Sequence, residues 1–406
     1  MPTLYLDTET YSDTDLKEVG TYRYAETAEV MLLTYAIDDG PVHCIDFTAP
    51  VTQRIMTATE VSLRKRDFST FDEVIAHNAM FDRNVLRLGD LKVNIPIEQW
   101  RCTMVQALQH ALPGSLSELG DVLGLSEDQR KLAEGKKLIQ RFCKPAPKNH
   151  KIRRYTRETH PEEWERSKQY AIRDVATMRE IHRRLPTWNW KPDDVAMWHL
   201  DQRINDRGFK VDVELAEAGA RAAETEKASL EKRFRELTGG LHPTRDAGRD
   251  ATSRYAALAA RAGGLAPTQR AKVQEFINVN YGLDLDATAK HVMQPIADDD
   301  SLPDELREIA HIMLSANKSS TAKYGRMTQV VSSDGRFRGG LQFSGARRTR
   351  RWAGRDYQPQ NLPSRGLPKT AQVDAYIAAL KAGVHDALFD DLMLYGAAAL
   401  RGVVIA

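Results

Sequence analysis

The stretch Leu4-Tyr5-Leu6-Asp7-Thr8-Glu9, near the start of the sequence, is a short apolar run that ends in two acids. Residues two positions apart in a β-strand point to the same face, so the carboxylates of Asp7 and Glu9 are predicted to lie side by side. Two like charges at such a short distance repel each other unless a cation neutralises them. Carboxylate oxygens are suitable ligands for a hard divalent metal. A strand end with two solvated acids has the same spacing, and Asp-x-Glu alone favours that interpretation.

Beyond this stretch, apolar runs alternate with helical patterns to about residue 185, and residues 1–46 have the character of strands throughout. The predicted elements are a strand hairpin over residues 30–37 and 42–47, a strand over 75–77, and helices over 81–88 and 162–185. Such alternation predicts an α/β layered fold.

Two further motifs place acids in this region. In His77-Asn78-Ala79-Met80-Phe81-Asp82, the acid lies in the first turn of a predicted helix, where an acid also serves as a helix cap. In Tyr170-Ala171-Ile172-Arg173-Asp174, the phenol and the carboxylate share one helical face because positions i and i+4 lie together. A half-buried tyrosine beside an exposed aspartate is the alternative interpretation. The joint occurrence of all three motifs in one domain favours a shared site.

This set resembles the DEDD-type exonucleases of the ribonuclease-H-like fold, and Tyr170 resembles the tyrosine of their DEDDy branch. The resemblance implies 3′→5′ hydrolysis with two divalent metal ions. Mg²⁺ is the expected metal, and Mn²⁺ is expected to substitute for it. The implied metal ligands are Asp7, Glu9, Asp82 and Asp174. Tyr170 and Glu9 would orient the attacking water, and Asn78 would lie near the terminal nucleotide. The phenol of tyrosine titrates near pH 10, so Tyr170 is expected to position water rather than to abstract protons.

Two stretches are rich in cations and contain no acid. Residues 141–157 hold seven lysines and arginines, and two prolines keep the stretch out of helix. Two interpretations of this stretch have equal weight. It is a loop that holds a phosphate backbone, or it is a loop that is simply solvated. The predicted DNA contacts in it are Lys148, Arg153 and Arg154. Residues 336–355 hold seven arginines with interleaved aromatics and predict a twisted hairpin that faces DNA.

The sequence changes character after a break at residues 186–192, which hold two prolines and two tryptophans. The following residues are predicted to be nearly all helical to about residue 331, and residues 371–400 are predicted to be helical again. Residues 402–406 are a strand signal at the end of the sequence.

Thr349-Arg350-Arg351-Trp352 and Gln360-Asn361-Leu362-Pro363 resemble the start of the palm in family A DNA polymerases, the group of bacterial DNA polymerase I, and phage-type members most of all. Arg347 and Arg350 stand where members usually have glycine. The helical middle, with residues 201–212 and 318–324, resembles the thumb that grips duplex DNA. The resemblance implies contacts to a primer–template duplex by Lys318, Lys323, Arg348, Arg351, Gln360 and Asn361.

The predicted domains are an exonuclease domain over residues 1–190, a helical thumb-like region over 191–332 and the N-terminal part of a palm over 333–406. In the resembled family, the last strand continues into the first catalytic aspartate of the palm. The second palm carboxylate and the fingers helix have no counterpart here either, so polymerisation by this chain alone is not expected. Either the chain was cut there or a separate palm and fingers chain completes the sheet, because an unfinished strand leaves an open edge.

Composition narrows the class of protein. The 406 residues carry a formal net charge of +2, which leaves room for local basic patches. Three scattered cysteines argue against a zinc site or a disulfide framework and fit a reducing compartment. A cytoplasmic protein without a membrane partner is expected, with a phage-encoded protein in a bacterial host as the origin that fits the resemblance.

Three functions follow from these observations. The first is a proofreading-type exonuclease that acts on single-stranded 3′ ends of DNA. The second is the DNA-binding N-terminal subunit of a split DNA polymerase. The third is an RNA 3′-trimming nuclease with the same DEDDy chemistry, which the thumb and palm resemblance disfavours.

Overall fold

The computed structural model describes residues 2–50, 70–126, 135–239, 263–316, 320–346 and 348–405. The chain divides into two compact units, Met1–Lys210 with Gln329–Gln358, and Val211–Thr328 with Pro359–Ala406. Lys318 and Arg347, both singled out from the sequence, lie outside the described residues. The division follows compactness, and the three functional regions expected from the sequence stay predictions.

The first unit is built on a five-stranded mixed sheet with the order β3-β2-β1-β4-β5. Its strands are β1 (Thr3–Tyr11), β2 (Glu29–Ile37), β3 (His43–Asp46), β4 (Glu73–Ala76) and β5 (Trp100–Cys102). Neighbours β1–β2 and β2–β3 are antiparallel, whereas β1–β4 and β4–β5 are parallel. The predicted hairpin and the strand near residue 75 are confirmed, and together with the helices they make the predicted α/β arrangement.

Helices connect and cover these strands. In the first unit they are α1 (Leu16–Ala25), α2 (Ala79–Leu88), α3 (Thr103–Gln109), α4 (Leu116–Val122), α5 (Gly135–Phe142), α6 (Pro161–Arg184) and α7 (Pro192–Arg207). Helix α1 corrects the expectation that residues 1–46 are all strand. The carboxylate of Asp15 accepts a hydrogen bond from the Lys17 amide and caps this helix, which satisfies one of the free amides of its first turn.

The alternation along β1 gives the central strand two buried faces. Leu4 and Leu6 pack into a core that also contains Val74 and Trp100. Tyr5 points the other way and packs with the apolar face of α6. Because side chains alternate along a strand, Asp7 and Glu9 share the face that α6 covers.

The same unit includes the arginine-rich segment. After β6 (Phe209–Val211), strand β7 (Arg336–Phe337) pairs with it in antiparallel fashion, and β8 (Leu341–Gln342) pairs with β9 (Ala353–Gly354). The predicted hairpin is thus present, with short strands. Phe343 belongs to the same buried cluster as Leu4 and Leu6, so the hairpin is packed into the core of the sheet domain.

The second unit is almost wholly helical. Its helices are α8 (Val213–Gly239), α9 (Arg270–Tyr281), α10 (Lys290–Asp298), α11 (Asp304–Ala316), α12 (Ala322–Val330), α13 (Thr370–Ala382), α14 (His385–Leu388) and α15 (Leu392–Ala399), with a final short strand β10 (Val404–Ile405). The helical character predicted for residues 371–400 is present and is divided among α13, α14 and α15. Gly383 has a φ of 73°, a left-handed conformation that ends α13. Among the described helices, none is long and apolar enough to cross a membrane.

Candidate metal centre and nucleic-acid surfaces

Three carboxylates come together where β1 meets α6. Each of Asp7, Glu9 and Asp174 offers an oxygen, and these atoms lie within 4.8 Å of one another. Asp7 and Glu9 are half-buried, and Asp174 is buried with 6% of its surface exposed. Three negative charges at this spacing repel one another strongly in a partly dry environment, so the folded chain is complementary to a cation at this point.

Strand β1 fixes the positions of Asp7 and Glu9. Asp7 lies opposite Thr34 and Glu9 opposite Leu32 in the ladder with β2, and the register shifts directly after Glu9. A shift of this kind re-aims side chains next to it. The ladder with β2 runs through both acids and fixes the backbone beneath them, whereas β4 pairs with Thr3–Tyr5 only.

Asp82 is held differently from the other three acids. It lies in the first turn of α2 with 2% of its surface exposed, and its Oδ1 accepts hydrogen bonds from the Thr8 amide at 3.1 Å and the Thr8 hydroxyl at 2.7 Å. Alternation along β1 places the Thr8 side chain on the opposite face from Asp7 and Glu9. Burial raises the pKa of Asp82 to about 7, although the bonds from Thr8 favour its charged form. The structure therefore brings together three of the four acids expected to bind metal, and Asp82 is not part of that group.

Tyr170 lies one helical turn before Asp174 and has 1% of its surface exposed. Burial raises the pKa of its phenol, and the charges of Asp174, Glu9 and Asp7 raise it further. Both effects favour the protonated phenol, which can act as a hydrogen-bond donor. A Cβ at Gly135 would lie 2.1 Å from Cε2 of the Tyr170 ring, so only glycine at that position lets α5 pack against the tyrosine.

A thiol touches the site from the end of α5. Cys143 Sγ lies 3.5 Å from Glu9 Oε2 and donates to it. Burial first, and then the charge of Glu9, raise the pKa of Cys143 well above its usual range. The thiol is thus a neutral donor that orients Glu9. The spacing of the motifs gave no signal for Cys143, Thr8 or Gly135, because each acts on a residue far away in the sequence or on the opposite face.

The donor set fits the metals expected from the sequence. All three convergent groups are carboxylates, which are hard oxygen ligands of the kind that Mg²⁺ and Mn²⁺ prefer. The Cys143 thiol donates to Glu9 and is not one of the three groups that converge. Within the described residues, no other group of three such side chains is placed to hold an ion.

Asn78 and His77 lie at the entrance to α2. Asn78 is the residue before this helix and has a φ of 66°, a left-handed conformation that asparagine tolerates well. His77 bonds Thr103 Oγ1 at 2.9 Å and the Gly114 carbonyl at 3.0 Å, which makes it a structural residue. The contact of Asn78 with a nucleotide stays a prediction.

The first basic stretch divides into paired and exposed cations. Arg154 forms two bonds to the Glu29 carboxylate, at 2.7 and 3.1 Å, and its guanidinium lies 3.8 Å from the centre of the Tyr11 ring. This contact holds Arg154 in the domain, so its predicted contact to DNA would compete with an ion pair. Lys148 and Arg153 are exposed, in keeping with the predicted contacts.

The arginine hairpin, which consists of β8, β9 and the loop between them, is held to α7 by polar contacts. The Trp352 indole donates to Asp201 Oδ1 at 2.7 Å, and the Asn205 amide bonds both the amide and the carbonyl of Leu341 at 3.0 Å. Arg348 and Arg351 are exposed in the loop between β8 and β9. Arg350, which stands where the resembled family has glycine, has a φ of 54°, in the left-handed region that glycine adopts freely.

The remaining predicted DNA contacts belong to the second unit. Lys323 is half-buried in α12, and its burial lowers its pKa. Gln360 and Asn361 are exposed in a short 3₁₀ helix, Pro359–Asn361. Their contacts to a duplex stay predictions.

Comparison with known proteins gives two findings, whereas no protein-family profile matches the chain. The sequence is 32% identical over 405 residues to the DNA polymerase of Bacillus phage SP02, which covers 98% of this chain and 56% of that protein. The fold is similar to the POL domain of Pol1 from M. smegmatis, solved in complex with DNA primer-template and dNTP. The TM-score is 0.55 at 12% identity, over 92% of this chain and 53% of that chain. The chain is thus homologous to a phage DNA polymerase and spans about half of its length.

Proposed function

We propose that this relative of a phage DNA polymerase is a two-metal-ion 3′→5′ exonuclease that hydrolyses DNA from its 3′ end, as in proofreading. The observation that carries the proposal is the convergence of the Asp7, Glu9 and Asp174 carboxylates within 4.8 Å, with Tyr170 one turn away. The wider assignment to a DEDDy domain of the ribonuclease-H-like fold, within a family A polymerase, is part of the proposal. The mixed sheet under β1 and the homology to a DNA polymerase support it.

The chemistry needs an activated water and a stabilised leaving oxygen. Divalent metal ions, when bound, supply both by Lewis-acid action. Asp7, Glu9 and Asp174 would hold one ion, and Asp7 would be the main ligand of the other, with Asp82 helping through water. Two hydrogen bonds from Thr8 hold the carboxylate of Asp82, so the position of this carboxylate is set before substrate binds.

Tyr170 and Glu9 position the water in this account. The proton of Tyr170 stays on the phenol, because burial and three nearby acids disfavour the phenolate. The phenol is therefore suited to orient a water by hydrogen bonding rather than to remove its proton. The Cys143 thiol keeps the Glu9 carboxylate turned toward the site.

The test is digestion of a 5′-labelled single-stranded DNA oligonucleotide by the full chain in Mg²⁺. The wild type should shorten it stepwise from the 3′ end, and Asp7→Ala should abolish shortening, as should a chelator. Asp39→Ala is the matched control, since Asp39 is an exposed acid at the opposite end of β1, where Asp38 bonds Thr3. An intact oligonucleotide with the wild type, in Mg²⁺ and in Mn²⁺, would overturn the proposal. An RNA oligonucleotide in parallel tests the RNA-trimming alternative, which predicts faster loss of RNA than of DNA.

A second function, gripping DNA for a separate palm and fingers chain, is the alternative. The observation in its favour is the exposure of Arg348 and Arg351, which suits contact with a DNA backbone. Under this alternative, the chain would bind primer–template duplex tightly and shorten it slowly or not at all. Duplex affinity measured beside the digestion therefore separates the two functions.

A further inference from the structure

The cationic loop, defined as residues 144–153, stands out because its tip is exposed while its ends are tied down. The Ala146 amide donates to the Arg153 carbonyl at 2.8 Å, and the His150 amide donates to the Pro147 carbonyl at 2.9 Å. These bonds close a compact turn, so residues 147–153 are all exposed. The tip is thus held in shape by its own backbone.

The cations at the ends of this stretch are used inside the domain. Lys144 Nζ lies 2.8 Å from Asp15 Oδ2, and Arg141 pairs with Glu163. Arg154 is held by Glu29, and Arg157 lies 3.3 Å from Glu158. These four side chains are partly shielded and their charges are balanced, so they offer a phosphate less than their number suggests.

The cations at the tip are different. Across the described ranges, Lys148 and Lys151 make neither an ion pair nor a side-chain hydrogen bond. Arg153 has 74% of its side chain exposed and is 3.7 Å from Asp13, which is itself 64% exposed. Water screens such a loose pair, so the guanidinium is available to another anion.

The loop is fixed close to the acidic centre, which is the group formed by Asp7, Glu9 and Asp174. It begins directly after Cys143, whose sulfur contacts Glu9, and its far end bonds through Arg154 to Tyr11 and Glu29, which follow Glu9 on β1 and pair on β2. Positive charge is thereby placed beside a site that repels the backbone of an incoming strand. A cationic tip next to anionic ligands can hold the phosphates behind the 3′ end while the end itself enters.

We propose that Lys148, Lys151 and Arg153 bind the phosphate backbone of the single-stranded DNA that leads to the acidic centre. The inference rests on the proposed nuclease function for its place in the reaction, but the binding is measurable without cleavage. The Tyr155 ring meets His150 and His160 edge to face, with centroids 6.1 and 4.8 Å away, and Arg141 lies over it. The neighbours of this ring are thus already His150, His160 and Arg141, so we expect the loop to contact DNA through its cations and the contact to be salt-sensitive.

The experiment uses the full chain, chelator to prevent cleavage, and a labelled single-stranded oligonucleotide followed by fluorescence anisotropy over a salt series. Each phosphate contact to a single strand contributes about 0.7 to the slope of log K against log salt. Lys148→Ala with Lys151→Ala should therefore flatten the slope by about 1.4 and weaken binding about tenfold or more in low salt. Lys148→Arg with Lys151→Arg keeps both charges and should bind like the wild type. A blunt duplex of equal length should bind all three proteins equally.

The outcomes separate the two proposals. Unchanged affinity and slope in the alanine variant overturn the loop proposal, as does an equal loss with the blunt duplex. A flattened slope in a protein that never shortens DNA supports the loop and overturns the nuclease. Circular dichroism of both double variants checks folding, and a fold defect confined to the alanine variant moves the comparison to Lys148→Gln with Lys151→Gln, which should show the same flattening or overturn the proposal.

Discussion

The acidic centre and the arginine hairpin are both dense in charge, but the chain treats the two kinds of charge in opposite ways. β1 and α6 force three carboxylate oxygens to within 4.8 Å of one another, in a place that is largely buried. The hairpin spreads its arginines outward, with Arg348 and Arg351 exposed. Crowded like charges need a counterion that binds at one point, whereas dispersed exposed charges suit an extended polyanion. The contrast is the reason why we propose a metal site at the crowded carboxylates and a DNA-backbone contact at the exposed arginines.

The largest expected effect comes from removing one charge of the crowded group. Asp174→Asn should slow 3′ shortening by at least about a thousandfold, or about 4 kcal/mol, because an amide is a poor ligand for a hard divalent ion. In chelator, the same variant should unfold at an equal or higher temperature than the wild type, because one repulsive charge is gone. Mn²⁺ should raise the melting temperature of the wild type and leave that of the variant nearly unchanged. A variant that keeps most of its activity would remove Asp174 from the site.

Asp201, which holds the hairpin through Trp352, should make the stability of the fold depend on pH. Burial raises the pKa of Asp201 to about 6 in the folded chain, against an ordinary value near 3.9 when unfolded. The folded state therefore binds its proton more tightly, and the resulting stability is present below about pH 4 and lost as the pH rises through 6. Asp201→Asn removes this dependence, which amounts to roughly 2–3 kcal/mol.

Urea unfolding of wild type and Asp201→Asn at pH 4, 5, 6 and 7 measures this. The free energy of unfolding of the wild type, minus that of the variant, should fall with rising pH. A constant or rising difference would show that Asp201 is not the buried, proton-binding anchor described here. Trp352 fluorescence, read against Trp352→Phe, reports whether the hairpin moves with the titration.

Close packing at the acidic centre predicts the next effect. Gly135→Ala brings a methyl group to 2.1 Å from the Tyr170 ring, which is buried and cannot move away freely. Overpacking of this kind costs about 1–3 kcal/mol, and displacement of Tyr170 should lower the rate of DNA shortening as well. Gly325→Ala is the matched control, because a Cβ at this helical glycine meets nothing within 4 Å. Equal unfolding temperatures for the two variants would contradict the packing described for α5.

The smallest effect belongs to the dispersed charges. Arg348→Ala with Arg351→Ala should weaken binding of a primer–template duplex about tenfold and flatten its salt slope by about 1.8, at about 0.9 for each lost contact to duplex DNA. Shortening of single-stranded DNA should stay at the wild-type rate. Arg203→Ala removes a guanidinium that pairs with Glu98 and serves as the control. Loss of single-strand shortening in the double variant would mean that the hairpin and the acidic centre act as one surface.

Much of the site could be predicted because its geometry is local. The strand period places Asp7 beside Glu9, and one helical turn places Tyr170 beside Asp174. The partners that hold these groups could not be predicted, because they come from distant positions. The Cys143 thiol reaches Glu9 across 134 residues, and the Asp82 carboxylate reaches Thr8 across 74. Contacts of this range leave no periodic pattern in a single sequence.

The fold was likewise predictable in part from local sequence patterns. The alternation of apolar runs and helical patterns gave the sheet domain, but α1 was missed because short aromatic and β-branched segments on both sides of it suggested strands. Its cap was present in the sequence, since Asp15 precedes Glu18 by three positions, as in a capping box. The break at Gly383 was likewise present as an isolated glycine within a helical pattern.

The most direct test of the central claim is a titration of Mn²⁺ into the full chain, read by the loss of the free-ion electron paramagnetic resonance signal. The account predicts saturable binding of at least one ion per wild-type chain, lost in Asp7→Ala and retained in Asp39→Ala. A wild type that binds no more Mn²⁺ than Asp7→Ala does would contradict it, because the three crowded carboxylates would then have a purpose other than holding a metal.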